Sequence, residues 1–241
     1  MVRAAVLALA LAASPAGAEC RQALALGLDV SGSVDEKEYA LQVQGLAAAL
    51  GHETVRAILL EAPEWPVWLA VYDWSGPDDM RVIQPWVAID GPDRLEAVRS
   101  RLAGTPRRAG APQTAVGAAM MFGQRLLEDR GDCPARVLDL SGDGKSNAGP
   151  RPRSVRTPAW MTVNALVIGA DRDPSWDGGE PGIAELTAWF HAEVLRGPAA
   201  FVETALGFDE FEAAMVRKLT RELMGLRLGA GPDTTGPARR Q

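Results

Sequence analysis

Apolar residues fall along this chain in short blocks of two kinds, and the two kinds alternate. Residues 23–30 read Ala-Leu-Ala-Leu-Gly-Leu-Asp-Val, broken only by Asp29, the composition of a strand buried on both faces. Beyond it, Tyr39, Leu41, Val43, Leu46 and Leu50 recur among charges at helical spacing over 35–50. Asp35 with Glu38 three residues on has the form of a capping box. A short helix is predicted over 53–60, ended by Pro63 and Pro66. Strand-like runs at 67–74 and 81–89 are separated only by Ser75-Gly76-Pro77-Asp78-Asp79. That connection is too short for a crossover and predicts an antiparallel hairpin. Helices at 93–102 and 114–129, a strand at 136–140, a loop over 141–158 and a strand at 162–168 follow. A helix at 183–195, a short strand at 200–204 and an amphipathic helix at 208–226 complete the pattern.

Strands alternating with helices predict an α/β fold: a doubly wound, mostly parallel six-stranded sheet with one antiparallel edge strand and helices on both faces. No internal repeat or linker divides it. The ends read differently. Arg3, the apolar run 4–13 and the small residues Ala16-Gly17-Ala18 have the layout of an export signal, residues 1–18. The run is about half the roughly 20 residues a membrane anchor needs. Glu19 before Cys20 stands where a lipoprotein signal wants a small residue. The expectation is therefore a secreted or periplasmic domain over 19–228 with no membrane anchor. Residues 229–241 carry no apolar periodicity and are predicted to be a disordered tail.

Composition changes this picture little. An apolar content of 47% suits an ordinary core, and a net charge of −6 gives no footprint for nucleic acid. The only cysteines, Cys20 and Cys133, are an even pair in an oxidising compartment and invite a disulfide.

Candidate chemistry gathers at strand ends. Asp29, Ser31 and Ser33 offer a carboxylate and two hydroxyls at alternate positions where the first strand stops, the oxygen donors a hard cation such as Mg²⁺ takes. Such residues also make turns and caps. Asp143, between Gly142 and Gly144, follows the strand 136–140 and reads either as a second carboxylate or as a turn former. Thr114 opens a predicted helix, as a ligand or as its N-cap. In open α/β sheets ligands bind beyond the carboxyl ends of strands where strand order reverses. If the first strand and 136–140 are neighbours there, all five oxygens converge.

In this order, Asp29-x-Ser31-x-Ser33, Thr114 and Asp143-Gly144 resemble the metal-ion-dependent adhesion site of the von Willebrand factor type A (VWA) domain. The resemblance spans about residues 22–226. Asp73-Trp74-Ser75, Thr114-Ala115-Val116-Gly117 and residues 139–144 look closest to a bacterial branch of secreted type A domains of unknown function. The resemblance implies Mg²⁺ or Mn²⁺, bound directly or through water by Ser31, Ser33 and Thr114. Asp29 and Asp143 would hold coordinated waters and balance charge. The approach to Thr114, Gly110-Ala111-Pro112-Gln113, is less rich in glycine than the family pattern.

Other motifs fail. Gly144-Lys145-Ser146 matches the end of a phosphate-binding loop, which requires glycine where this chain has Asp139. No Gly-x-Ser-x-Gly elbow surrounds Ser31. His52 and His191 read as exposed helical residues, so a serine triad lacks its base. The leading expectation is a binding module whose metal captures an Asp or Glu of a partner protein. The alternatives are a metal-dependent hydrolase of phosphate or ester groups, for which only Asp143 and Asp73 could serve as base, and a purely structural metal. Cys20 lies nine residues before Asp29, and Cys133 ten before Asp143. On adjacent parallel strands about 4.8 Å apart, that spacing permits a bridge, which spans Cα distances of roughly 4.4–6.8 Å.

Overall fold

The computed structural model describes residues 20–170 and 182–229. Its sheet has six strands: β1 (Gln22–Asp29), β2 (Val67–Trp74), β3 (Met80–Ala88), β4 (Ala135–Gly142), β5 (Met161–Gly169) and β6 (Val202–Leu206). Their order is β3-β2-β1-β4-β5-β6. All neighbours pair in parallel except β2 and β3, whose tight hairpin makes β3 the antiparallel edge.

The helices are α1 (Glu36–Gly51), α2 (Glu53–Leu59), α3 (Pro92–Ala103), α4 (Val116–Glu128), α5 (Ile183–Glu193) and α6 (Phe211–Gly229). Alternation along β1 divides the core. Leu24, Leu26 and Leu28 face the layer of α1, α3 and α6, whereas Ala23 and Ala25 face α4 and α5. The α1 start is fixed by the capping box: Asp35 accepts the Glu38 N–H, and Glu38 accepts the Asp35 N–H, both at 2.8 Å. Cys20 and Cys133 are disulfide-bonded just ahead of β1 and β4, with Cα atoms 4.8 Å apart. Neighbouring parallel strands bring their amino ends to that separation.

Several boundaries depart from the sequence expectation. The fourth helix begins at Val116, not 114, because Ala115 is non-helical and the Thr114 N–H is taken by Asn147. The last strand runs over 202–206 rather than 200–204, since the Phe201 N–H bonds to the Asn164 side chain. Residues 208–210 form a separate 3₁₀ turn before α6. That helix reaches Gly229, three residues beyond the predicted end at 226. His52 is not within a helix but caps α2, accepting the Thr54 N–H. Residues 1–18 and the rest of the tail lie outside the described residues.

One buried group was not foreseen. Lys218 of α6, fully buried, lies 2.8 Å from Asp139 of β4 and 2.7 Å from Glu222. Asn164 of β5 donates to Glu222 at 2.6 Å. Two carboxylates around one ammonium fasten α6 to the middle of the sheet. No helix among the described residues is long and apolar enough to cross a membrane.

Candidate metal centre

Strand order reverses between β1 and β4. From β1 the chain moves outward to β2 and β3, then returns to β4 on the other side and continues to β6. Loops leaving β1 and β4 diverge there and open a crevice beyond the strands' carboxyl ends. Asp29 is the last residue of β1, and Asp143 is the first after β4. The register Gly27↔Leu140 sets the two ends level.

The β1 loop folds back on its own carboxylate: the Ser31 N–H donates to Asp29 Oδ1 at 2.7 Å. The Ser31 and Ser33 hydroxyls are 3.4 Å apart, and Ser33 donates to Asp143 Oδ1 at 2.8 Å. Asp29 and Ser31 are buried, whereas Ser33 is exposed, so the group runs from the sheet edge to solvent. Gln42 of α1 supports its base, donating to the Asp29 carbonyl at 2.9 Å.

Thr114 arrives from the other side. A Cβ placed on Gly144 would lie 4.0 Å from the Thr114 hydroxyl oxygen, so this side chain stands beside the segment carrying Asp143. Asn147 clamps it: the Thr114 N–H donates to Asn147 Oδ1 at 2.9 Å, and the Asn147 N–H returns to the Thr114 carbonyl at 2.9 Å. Since Thr114 precedes the helix and makes no cap, its hydroxyl is not consumed by α4. The five expected residues are thus brought to one crevice. Asn147 was missed in the sequence, where an Asn in a Gly/Ser/Pro-rich loop reads only as a turn former.

Charge in the crevice is unbalanced. Asp29 Oδ2 is buried without a well-formed hydrogen bond. The Asp29 carboxyl is raised from 3.8 to about 8, first by burial and second by the Asp143 charge, against the opposing bonds from Ser31 and the Asp143 backbone. A buried carboxylate oxygen without a well-formed hydrogen bond, two hydroxyls and a second carboxylate form an oxygen-only set, which fits a hard divalent cation. The other grouping of possible ligands among the described residues, Cys20, Asp132 and Cys133, has both sulfurs in the disulfide.

Asp73, the other carboxylate considered as a base, is engaged elsewhere. It is fully buried and accepts bonds from Tyr39, Arg81 and Arg108 at 2.6–2.9 Å.

A family described as "Protein of unknown function (DUF1194)" matches residues 19–227. The chain belongs to that family. A comparison of this DUF1194 chain with curated proteins finds no match. Solved structures do share its fold. Proximal thread matrix protein 1 from the mussel byssus, with a zinc-occupied MIDAS motif, is 17% identical with a TM-score of 0.56, covering 86% of this chain and 48% of that one. The pilus adhesin SpaC from Lactobacillus rhamnosus GG is 14% identical with a TM-score of 0.57, covering 86% and 30%. A von Willebrand factor type A protein from Catenulispora acidiphila is 16% identical with a TM-score of 0.53, covering 84% and 43%. The DUF1194 chain therefore has a VWA-like fold and spans half or less of the length of these structures.

Proposed function

We propose that this protein is a secreted binding module of a bacterial VWA-like branch. It holds Mg²⁺ or Mn²⁺ through Ser31, Ser33 and Thr114, with Asp29 and Asp143 balancing the charge. The bound cation keeps a position for an Asp or Glu carboxylate of a partner protein. The observation that carries this reading is Asp29 Oδ2, buried without a well-formed hydrogen bond on a carboxyl raised by burial and then by the Asp143 charge. A cation between the two carboxylates removes that cost. An oxygen-only donor set favours a hard ion. The zinc-occupied motif of the mussel protein and the likeness to a pilus adhesin support a metal-dependent adhesive role.

Hydrolysis needs a base beside the metal. With Asp73 held by two arginines and a tyrosine, only the site's own Asp143 is left of the two candidates. Binding without turnover is the better reading.

Calorimetric titration of the purified protein with Mg²⁺ and Mn²⁺ tests this directly. A ligand bound only by the folded state adds about 2.7 kcal/mol at 100 times its dissociation constant. The thermal midpoint should therefore rise with the cation and return with EDTA. Asp29→Ala and Ser31→Ala should abolish the shift. Capture of a partner from periplasmic extract should require the cation and fail when the partner's key carboxylate is neutralised. No heat of binding in the wild-type protein would overturn the metal site.

A further inference from the structure

The segment that delivers Thr114, residues 107–113, is an extended loop with no regular structure, yet it is fastened at Arg107, Arg108 and Ala111. Asp73 lies on β2 beside Leu28, one residue from the level of Asp29. Its Oδ2 accepts from the Tyr39 hydroxyl at 2.9 Å and Arg81 Nη2 at 2.6 Å. Its Oδ1 accepts from Arg108 Nε at 2.7 Å. The same guanidinium donates to Asp79 Oδ1, and its Nη2 reaches the Asp79 carbonyl at 3.1 Å. Asp79 then closes the circuit, because its Oδ2 accepts the Ala111 N–H at 2.7 Å and the Ser75 hydroxyl at 2.5 Å. The Ser75 carbonyl takes the Ala115 N–H at 2.8 Å.

The opposite side of the loop is fixed to the serine loop of the site. Arg107 donates to the Val34 carbonyl at 3.0 Å and to that of Val30 at 3.4 Å. Gly110 allows the two backbones to touch, since a Cβ there would come within 2.4 Å of the Val30 oxygen. Two arginines and two aspartates cancel in charge, and Arg108 spans both carboxylates with its fork. Burial acts to raise the Asp79 carboxyl. The bonds from Ser75 and Ala111 and the Arg108 charge outweigh it and hold that carboxyl below its ordinary value.

We propose that Asp73, Asp79 and Arg108 are positioning residues for the metal centre: their ion cluster pins loop 107–113 to the β2–β3 hairpin and so sets Thr114 in place before a cation arrives. This rests on the reading of Thr114 as a ligand. Metal–oxygen distances tolerate only about 0.2 Å. A free loop of this length would have to lose its conformational freedom on binding, at a cost to affinity. The cluster places that ordering in the folding of the metal-free protein. It also accounts for an approach to Thr114 that carries two arginines and a proline where a glycine-rich loop was expected.

The test is a double-mutant cycle read by Mn²⁺ calorimetry at a temperature where every variant is folded. Arg108→Ala should weaken Mn²⁺ binding about tenfold, the low end for residues that orient metal ligands. Thr114→Ala should weaken it comparably. The double variant should be no more than about twofold weaker than Thr114→Ala alone, because the arginine acts through the threonine. A merely structural role would leave the affinity of folded Arg108→Ala unchanged, or would give additive losses. Either result overturns the proposal. If Arg108→Ala does not fold, Asp79→Asn carries the same cycle, since it removes the charge facing Arg108 but keeps an acceptor for Ala111. If the wild-type protein takes up no Mn²⁺, the metal reading itself fails, and that outcome is read from the wild-type titration alone.

Discussion

Asp29→Asn separates stability from metal binding at a single atom. In the cation-free protein the Asp29 carboxyl is raised to about 8, chiefly by burial and then by the Asp143 charge. The unfolded chain ionises near 3.8. Between those values the folded state keeps a proton that the unfolded state has released, so stability falls as pH rises. Each unit is worth about 1.4 kcal/mol. From pH 5 to 8 that sets a ceiling of roughly 4 kcal/mol, and relaxation of the loops brings the expected loss to about 2–4 kcal/mol. The Asn side chain keeps an oxygen for the Ser31 N–H and carries no charge to set against Asp143. Urea denaturation in EDTA at pH 5, 6, 7 and 8 reads the difference. Wild type should weaken more steeply across the series than Asp29→Asn, which keeps only the decline contributed by the Asp139 carboxyl, raised to about 7 chiefly by burial, and is the more stable of the two at pH 8. Saturating Mn²⁺ should bring the wild-type slope down to that of Asp29→Asn, because the cation replaces the proton on Asp29, and should leave Asp29→Asn unmoved. Parallel pH profiles in EDTA would show that the two carboxylates are not in conflict, and the reasoning from Oδ2 would fall.

Export predicts a mature chain starting at Glu19, checked by N-terminal sequencing of secreted material. An intact Met1 or a lipidated Cys20 refutes it. The Cys20–Cys133 bridge closes a separation of 113 residues, so replacing both cysteines by serine should cost on the order of 5 kcal/mol by the chain-entropy account. Denaturant midpoints measure it, and alkylation before reduction should label no thiol. Lys218→Met leaves Asp139 and Glu222 buried without their cation and should destabilise by about 3–5 kcal/mol. A change below about 1 kcal/mol in urea unfolding would show that the triad does not bind α6 to the sheet.

The sheet was legible because its signals are local. A nearly continuous apolar run marked β1, a five-residue turn forced the β2–β3 hairpin, and Asp35 with Glu38 marked the start of α1. The convergence of the candidate residues was legible for a related reason: Asp29, Ser31, Ser33 and Asp143 sit at strand ends, where the fold itself decides which loops meet. The fastenings around the site were hidden. Lys218 and Glu222 on α6 have the spacing of polar residues on an amphipathic helix, and only packing against Asp139 reveals them as buried. Arg107, Arg108 and Asn147 lie in loops where charge and amides are commonplace. Nothing local ties Arg108 to Asp73, 35 residues away. The start of α4 was placed two residues early for the same reason, since the Asn147 side chain competes for a backbone N–H that helical propensity alone would give to the helix.

Strand polarity has a practical consequence for any study of this domain. Cys20 opens the described chain at the amino end of β1. Near its other end, Met224 and Gly225 of α6 line one cleft with Gln22 and Ala135, the first residues of β1 and β4. Entry and exit therefore share a pole, and the crevice at Asp29 lies a full strand away, roughly 25 Å for eight residues. An affinity tag, a fluorescent fusion or a sensor chip attached beside Cys20 or Gly225 would leave the crevice at Asp29 facing solution. Several copies strung on a scaffold from that pole would present the crevice outward in a row, so avidity could be built without touching its residues.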